Sequence, residues 1–198
     1  MKRIIFYLIG ISLIALGSAS IVTSQKGAAA WDALVVGLSN TFGLTPGNWI
    51  MVIGLILMLI NAYLTKEKID FYAFITTFTI GIVIDIWLFV VFAHVTPVNI
   101  RTQWLLFIFG FFTTILGAGI YLQSNFAPSP VDNLMLSVHK RFNLSISRAR
   151  LICEGIALTL SLLVSGPISI GTFVIALAIG PCIQVSFKKM NTIYEKLG

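Results

Sequence analysis

Two aspartates occupy matching positions in an otherwise apolar chain. Asp32 and Asp132 are 100 residues apart, and each lies at the beginning of a short amphipathic segment, residues 31–42 and 131–142. Ser129 and Pro130 precede Asp132, and these are residue types that favour the cap and first turn of a helix. A carboxylate at a helix start either satisfies that helix's own N–H groups or, between two opposed helix starts, binds a proton, a cation or a polar substrate. The residue types leave both interpretations open.

Four further side chains are of interest because apolar segments carry such groups mainly for pairing or function. Arg150 and Glu154 are four residues apart and share a helix face, so Glu154 either meets a solute or forms a structural ion pair with Arg150. Asp85 is either a solute-path residue or a buried polar contact, and Trp31 either walls a cavity or is an interfacial or packing aromatic. The candidate substrate-binding residues are therefore Asp32, Asp132, Glu154, Arg150, Asp85 and Trp31.

Signatures of catalysis and of metal binding are missing from the sequence. It contains no HExxH, GxSxG or Walker motif, and its two histidines have no metal-ligand partner nearby. Cys153 and Cys182 form neither a CxxC motif nor a Cys/His cluster. We therefore predict no catalytic residue, no metal and no cofactor, and the sequence does not favour an enzyme.

Composition identifies the surroundings in which these residues must act. Of 198 residues, 58% are hydrophobic and only 10% are charged, against roughly 25% charged in an average soluble domain. Hydrophobic stretches of about the length that crosses a bilayer recur along the chain, which excludes a soluble enzyme and predicts a polytopic membrane protein. The net charge is +6, and the basic residues that cause it lie beside the apolar spans. We therefore interpret them as topology signals rather than as a nucleic-acid surface.

The chain repeats itself at a spacing of about 100 residues. Leu16, Gly17 and Ser24 recur as Leu116, Gly117 and Ser124, and at an offset of 99 the matches continue to Ile183. These matches predict repeat A at 4–93, a loop at 94–103, repeat B at 104–189 and a short cytoplasmic tail at 190–198, within a single membrane domain 1–198. The first apolar run resembles a signal peptide, but its counterpart at 104–122 cannot be one, so we predict that it is retained as a helix.

Each repeat contains three long apolar segments and one short one. A helix of 12 residues reaches only roughly 18 Å, well short of a bilayer core of about 30 Å, so the short segments are predicted to be re-entrant or interfacial. Three full spans per repeat place the second repeat upside down relative to the first. With the N-terminus inside and re-entrant short segments, 11 basic residues lie on the inside and 2 on the outside. If the short segments crossed the membrane completely, the counts would be 10 and 3. Because this difference in charge is small, the length of the short segments decides between the two topologies.

One stretch resembles a known family. Residues 27–32 (GAAAWD), Gly37 to Ser39 and residues 43–49 (GLTPGNW) are similar to the "GxxPWDxLxxGLxxxxGLxxGxW" pattern of the YczE/YyaS/YitT group of bacterial membrane proteins, with Ala30 where that pattern often has proline. In the second half, residues 130–132, Arg150, Glu154, residues 170–172 and residues 179–181 look like the rest of it. The resemblance covers nearly the whole chain. It implies a multi-pass protein of the bacterial cytoplasmic membrane and implies no reaction.

These features together predict an all-α integral membrane protein with six transmembrane helices plus two short re-entrant helices, in two inverted 3+3 repeats. Both termini are expected in the cytoplasm. The leading functional hypothesis is a transporter or channel for a small solute along a path between the repeats, with membrane lipids, the solute and a proton or cation as partners. The alternatives are a membrane enzyme or lipid-handling protein acting on a lipid headgroup, and a non-catalytic accessory subunit.

Overall fold

The computed structural model describes residues 2–196, so Met1 and the last two residues of the predicted tail, 197 and 198, lie outside the described residues. No strand occurs between residues 2 and 196. The α-helices of this region are α1 (Lys2–Thr23), α2 (Ala30–Phe42), α3 (Pro46–Thr65), α4 (Phe71–Ile86), α5 (Ile100–Gln123), α6 (Pro130–Phe142), α7 (Ile146–Leu163) and α8 (Ile170–Lys196). A π-helical turn, Trp87–Val91, extends α4.

Among the described residues, five helices are long and apolar enough to cross a membrane: α1, α3, α4 with its π-helical turn, α5 and α8. The remaining predicted span, fifth in chain order, is α7, which has 18 residues but carries Arg148, Arg150 and Glu154. Large apolar side chains point outward from the helices, including Leu151 at 72% and Leu177 at 81% exposed. Such surfaces are stable in lipid rather than in water. The protein is thus an all-α membrane protein, as predicted.

The predicted short segments, 31–42 and 131–142, correspond to α2 and α6 within one residue, whereas the C-terminus differs from the prediction. Residues 190–196, predicted as part of a tail, continue α8. The ring of Tyr194 packs edge to face on Phe6 with 4.9 Å between centroids, and the Lys2 ammonium lies 4.1 Å from the centre of the Tyr194 ring. These contacts with the start of α1 stabilise the last turns of α8.

The centre of the molecule is the contact between α1 and α5. A Cβ atom added at Gly17 would lie 2.7 Å from the carbonyl oxygen of Gly110, and one added at Gly117 would lie 2.9 Å from that of Gly10. Small residues are what allow two helix backbones in a membrane to approach this closely. Because residue numbers rise along α1 as they fall along α5, the two helices run antiparallel.

Around this centre the helices pack in corresponding pairs. The short helix α2 packs on α7 and the short helix α6 packs on α3, while α4 packs on α1 and α8 packs on α5. The two halves differ in the contact between their last two long helices. A Cβ atom at Gly47 would lie 2.2 Å from the carbonyl oxygen of Gly81, so α3 and α4 are in close contact. The counterpart helices α7 and α8 lack a comparable interface.

Candidate functional site

The start of α2 is fixed by the loop before it and by the start of α8. The Gly171 N–H donates to the Lys26 carbonyl oxygen at 2.9 Å, and the Ala28 N–H donates to Thr172 Oγ1 at 3.3 Å. Gly27 between them has a φ of 106°, and a Cβ there would lie 2.6 Å from Thr172 Oγ1. Only glycine suits both this backbone conformation and this approach.

The start of α6 is fixed by its own cap and by α3. Ser129 Oγ accepts a hydrogen bond from the Asp132 N–H at 3.3 Å, and Pro130 occupies the first helical turn, as the sequence predicts. Asn61 on α3 donates through Nδ2 to the carbonyl oxygen of Pro130 at 2.9 Å. Since Asn61 is itself buried, this bond holds the beginning of α6 against the interior of the bundle.

The two helix starts line one cavity, which we call the central cavity. Trp31 and Asp32 contribute from α2, and Ser129, Pro130 and Val131 contribute from the start of α6. Its volume is about 230 Å³. The remaining walls come from middle turns of four long helices: Ser18 on α1, Gly54 on α3, Thr77 on α4 and Thr114 on α5 are among them. The cavity therefore lies near half the depth of the apolar bundle.

Asp32 is the ionisable side chain among the residues that line this cavity. Ser18 donates a hydrogen bond from Oγ to Asp32 Oδ2 at 2.6 Å. The N-cap position of α2 is Ala29, which offers no side-chain cap, and the Asp32 carboxylate accepts from α1 rather than from its own helix. At Asp32 the geometry therefore favours a side chain presented to the cavity over a helix cap.

Asp132 has a different environment from Asp32. Ser129 donates from Oγ to Asp132 Oδ2 at 2.9 Å, and the Ser129 backbone N–H faces the same carboxyl group. This reciprocal arrangement of the cap residue and the third residue of the helix is a capping box. Asp132 is exposed and does not line the central cavity. Its geometry matches the cap interpretation.

Glu154 lies near both aspartates, and Arg150 lies near Asp132; in the described part of the chain, Arg150 and Glu154 form no ion pair with each other. Glu154 is within electrostatic range of Arg150, Asp32 and Asp132, and Arg150 also acts on Asp132. Between residues 2 and 196 the ion pair is Lys140–Glu67, with 3.7 Å between Nζ and Oε1. Three carboxylates and one guanidinium leave an excess of two negative formal charges. Over the same range the acidic groups do not converge into a metal-ligating cluster.

The guanidinium group of Arg150 is directed at α8. A Cβ atom at Gly180 would lie 2.8 Å from Arg150 Nη1. The group therefore lies between α7 and α8. The structural Arg150 to Glu154 pair, one of the two sequence interpretations, is not formed.

Asp85 is engaged at the start of α3, away from the central cavity. Thr45 donates its hydroxyl to Asp85 Oδ2, and the Gly47 N–H donates to Oδ1 at 2.8 Å. Both carboxylate oxygens thus hold the N-terminal turn of α3 on α4.

Trp31 lines the central cavity, and its indole Nε1 is buried without a hydrogen-bond partner in the described part of the chain.

Sequence reasoning missed the hydroxyl side chains of this site, Ser18, Thr77 and Thr114. Ser18 lies in the run Gly17–Ser20, which resembles a signal-peptide cleavage site in the sequence. The sequence signal that could have identified them is the presence of hydroxyl side chains within long apolar segments. It is a weak one, because such groups usually bond to their own helix, as Thr77 does to the Ala73 carbonyl oxygen at 2.9 Å.

A family described as "Family of unknown function (DUF6198)" matches residues 1–188. The chain belongs to this family. It is 38% identical to "Uncharacterized protein YyaS" of Bacillus subtilis (strain 168) over 86% of this chain and 85% of that protein. It is 27% identical to "Uncharacterized membrane protein YczE" of the same strain, over 91% and 83% of the two chains. These relatives confirm the resemblance to the YczE/YyaS-type proteins. No solved structure matches the chain.

Proposed function

We propose that this DUF6198 protein moves a small solute across the bacterial cytoplasmic membrane, along a path between two inverted repeats. The observation that carries the proposal is the central cavity, where both short helices begin at the depth of the middle turns of four long helices. Non-helical backbone at membrane depth is stable only where it is buried in protein or lines a cavity. Transporters built from inverted repeats place their solute sites at such interrupted helices.

The direction of the two first helices supports inversion. In parallel repeats, α1 and its counterpart α5 would cross the membrane in the same direction. In inverted repeats they cross in opposite directions. The close contacts of Gly17 with Gly110 and of Gly10 with Gly117 require the antiparallel arrangement.

Contacts between helix ends support re-entrant rather than spanning short helices. Lys140 at the end of α6 lies 3.7 Å from Glu67 after α3, and Thr41 at the end of α2 donates to the Val164 carbonyl oxygen after α7 at 3.2 Å. If the short helices crossed the bilayer completely, each of these contacts would join opposite sides of the membrane. Re-entrant helices put Lys140 and Glu67 inside and Thr41 and Val164 outside, with both chain termini in the cytoplasm.

A second pocket supports a route from the central cavity to the cytoplasm. It has a volume of about 150 Å³ and lies between the end of α3, the start of α4 and α6, where Asn61 and Ala73 line it. Ala73 is one helical turn from Thr77 of the central cavity. In this proposal, Trp31 and Asp32 contact the solute, and Arg150 and Glu154 set the local potential. Asp132 caps α6, and Asp85 holds α3.

One observation favours a second candidate, a lipid-handling protein. α7 and α8 lack the close contact that α3 and α4 make, Arg150 is directed from α7 at Gly180 on α8, and Asp132 is exposed. A lipid headgroup entering there would meet Arg150 and Glu154. A non-catalytic accessory subunit has less support, because such a role does not require an internal cavity lined by Asp32.

Efflux from proteoliposomes tests the transport proposal. Purified full-length protein is reconstituted into liposomes loaded with a mixture of small amines, amino acids, carboxylates and sugars, and the external medium is followed by mass spectrometry. We expect protein-dependent release of at least one solute class, with none from protein-free liposomes. Retention of every solute, together with accelerated movement of a fluorescent phospholipid between leaflets, would instead favour the lipid-handling protein.

A further inference from the structure

We infer that the central cavity binds a small organic monocation, an amine with one apolar group of about the size of an aromatic ring, through the Asp32 carboxylate. This inference rests on the proposed function and names the class of its solute. It combines three observations: the charge at the cavity, its size and lining, and the position of Trp31.

The charge at the cavity favours a cation over an anion. A helix start contributes only about half a positive elementary charge, and a carboxylate contributes a full negative one. At the start of α6 even this partial positive charge is reduced, because Pro130 has no N–H and the Asp132 N–H is bonded to Ser129 Oγ. Asp32 therefore dominates the wall, and Glu154 lies within electrostatic range of it.

The lining favours an organic cation over a metal ion. Ca²⁺ takes six to eight oxygen ligands, Mg²⁺ an octahedral shell of waters and carboxylates, and Zn²⁺ usually three or four protein ligands, whereas the described residues contain no group of three His, Cys, Asp or Glu side chains that could hold a metal ion. The wall is mainly apolar, with Ile14, Ile50, Ile53 and Ile80 among its residues. A dry cavity of about 150 Å³ holds benzene. The volume of about 230 Å³ is sufficient for a ring with a short aminoalkyl chain.

Trp31 completes the site. Its indole lines the same cavity as Asp32, its neighbour in sequence. Tryptophan is the best aromatic partner for a cation, and the attraction strengthens where water is excluded. An ammonium group paired with Asp32 against this ring satisfies the carboxylate without leaving a buried charge uncompensated.

Isothermal titration of the full chain in lipid nanodiscs tests the inference, with phenethylammonium, the neutral 2-phenylethanol and the anionic 3-phenylpropionate as probes. We expect phenethylammonium to bind at least about tenfold more tightly than either comparator, since a charged hydrogen bond contributes about 1.5–3 kcal/mol. Asp32→Asn should abolish that preference. Trp31→Leu should weaken phenethylammonium binding roughly 2- to 30-fold.

Two further variants make the result specific. Glu195→Gln also removes one negative charge, at an exposed position where Glu195 Oε1 accepts from Asn191 Nδ2, and should leave binding unchanged. Ile53→Phe fills part of the cavity and should weaken all cavity binding. No binding of phenethylammonium, equal or tighter binding of a comparator, or an affinity that Asp32→Asn leaves unchanged in folded protein would overturn the inference.

The same probes separate this inference from the transport proposal. Asp32-dependent binding of phenethylammonium without protein-dependent efflux would remove the transport function and leave the inference standing. Efflux of neutral or anionic solutes that Asp32→Asn does not affect would retain transport and overturn the inference.

Discussion

Asp32→Asn is expected to abolish protein-dependent efflux while leaving the protein folded. The substitution removes the charge that faces the central cavity, and losing a charged hydrogen bond to the solute costs roughly 10- to 150-fold in binding. Asn retains an oxygen that can accept from Ser18 Oγ, so we expect the free energy of unfolding to change by less than about 1 kcal/mol. Initial efflux rates and thermal unfolding, measured on the same preparation, check both parts.

Asp132→Asn is the matched comparison, because the two aspartates are counterparts in the repeat but differ in their partners. Asn is nearly as good as Asp at a helix start. Since Asp132 belongs to the capping box of α6 and does not line the cavity, we expect efflux to remain near normal. Equal losses in both single variants, with no further loss in the double variant, would mean that the carboxylates act as one unit. That result would contradict the distinction drawn between them.

Gly17→Ala is expected to cause a large loss of stability. The new Cβ would lie 2.2 Å from Thr114 Oγ1, 2.6 Å from the Thr114 backbone nitrogen and 2.7 Å from the Gly110 carbonyl oxygen. Two of these atoms belong to the backbone of α5, so the helices must separate. Overpacking of this kind costs about 1–3 kcal/mol or more. In a background with Cys182→Ser, a thiol-reactive dye that labels the buried Cys153 on unfolding measures the change as a lower melting temperature.

Gly155→Ala is the control for that prediction. A Cβ at Gly155 on α7 would meet no other atom within 4 Å. Because alanine favours helix over glycine by about 1 kcal/mol, this variant should be as stable as the wild type or more so. A melting temperature for Gly17→Ala equal to that of Gly155→Ala would show that α1 and α5 do not pack as described.

The helices were predictable from the sequence because long apolar runs and their breaks are local signals. The cap of α6 was predictable for the same reason, since Ser129, Pro130 and Asp132 are close along the chain. The continuation of α8 to Lys196 was missed because it depends on the distant contact of Tyr194 with Lys2 and Phe6. Hydropathy gives no information about such a contact.

The site was predictable only in part. The sequence identified Asp32 and Asp132 as counterparts but not the difference between them. That difference arises from Ser18, which supplies a partner on α1, whereas the corresponding position on α5 is Ala118. Similarly, helical spacing places Arg150 and Glu154 on one face, but the guanidinium group turns to Gly180 on another helix. Side-chain direction between helices is a tertiary property that spacing along one helix does not determine.

Cysteine accessibility tests the central claim, a solute path through a cavity between inverted repeats, most directly. In a background without Cys153 and Cys182, Ile53→Cys places a thiol in the central cavity, Lys66→Cys marks the predicted inner side and Arg101→Cys the outer side. A charged, impermeant methanethiosulfonate is applied to intact cells and to inverted vesicles. We expect Lys66→Cys to react only in inverted vesicles, Arg101→Cys only in cells, and Ile53→Cys in both. Reaction of Lys66→Cys from outside, or an Ile53→Cys that reacts from neither side, would contradict the account.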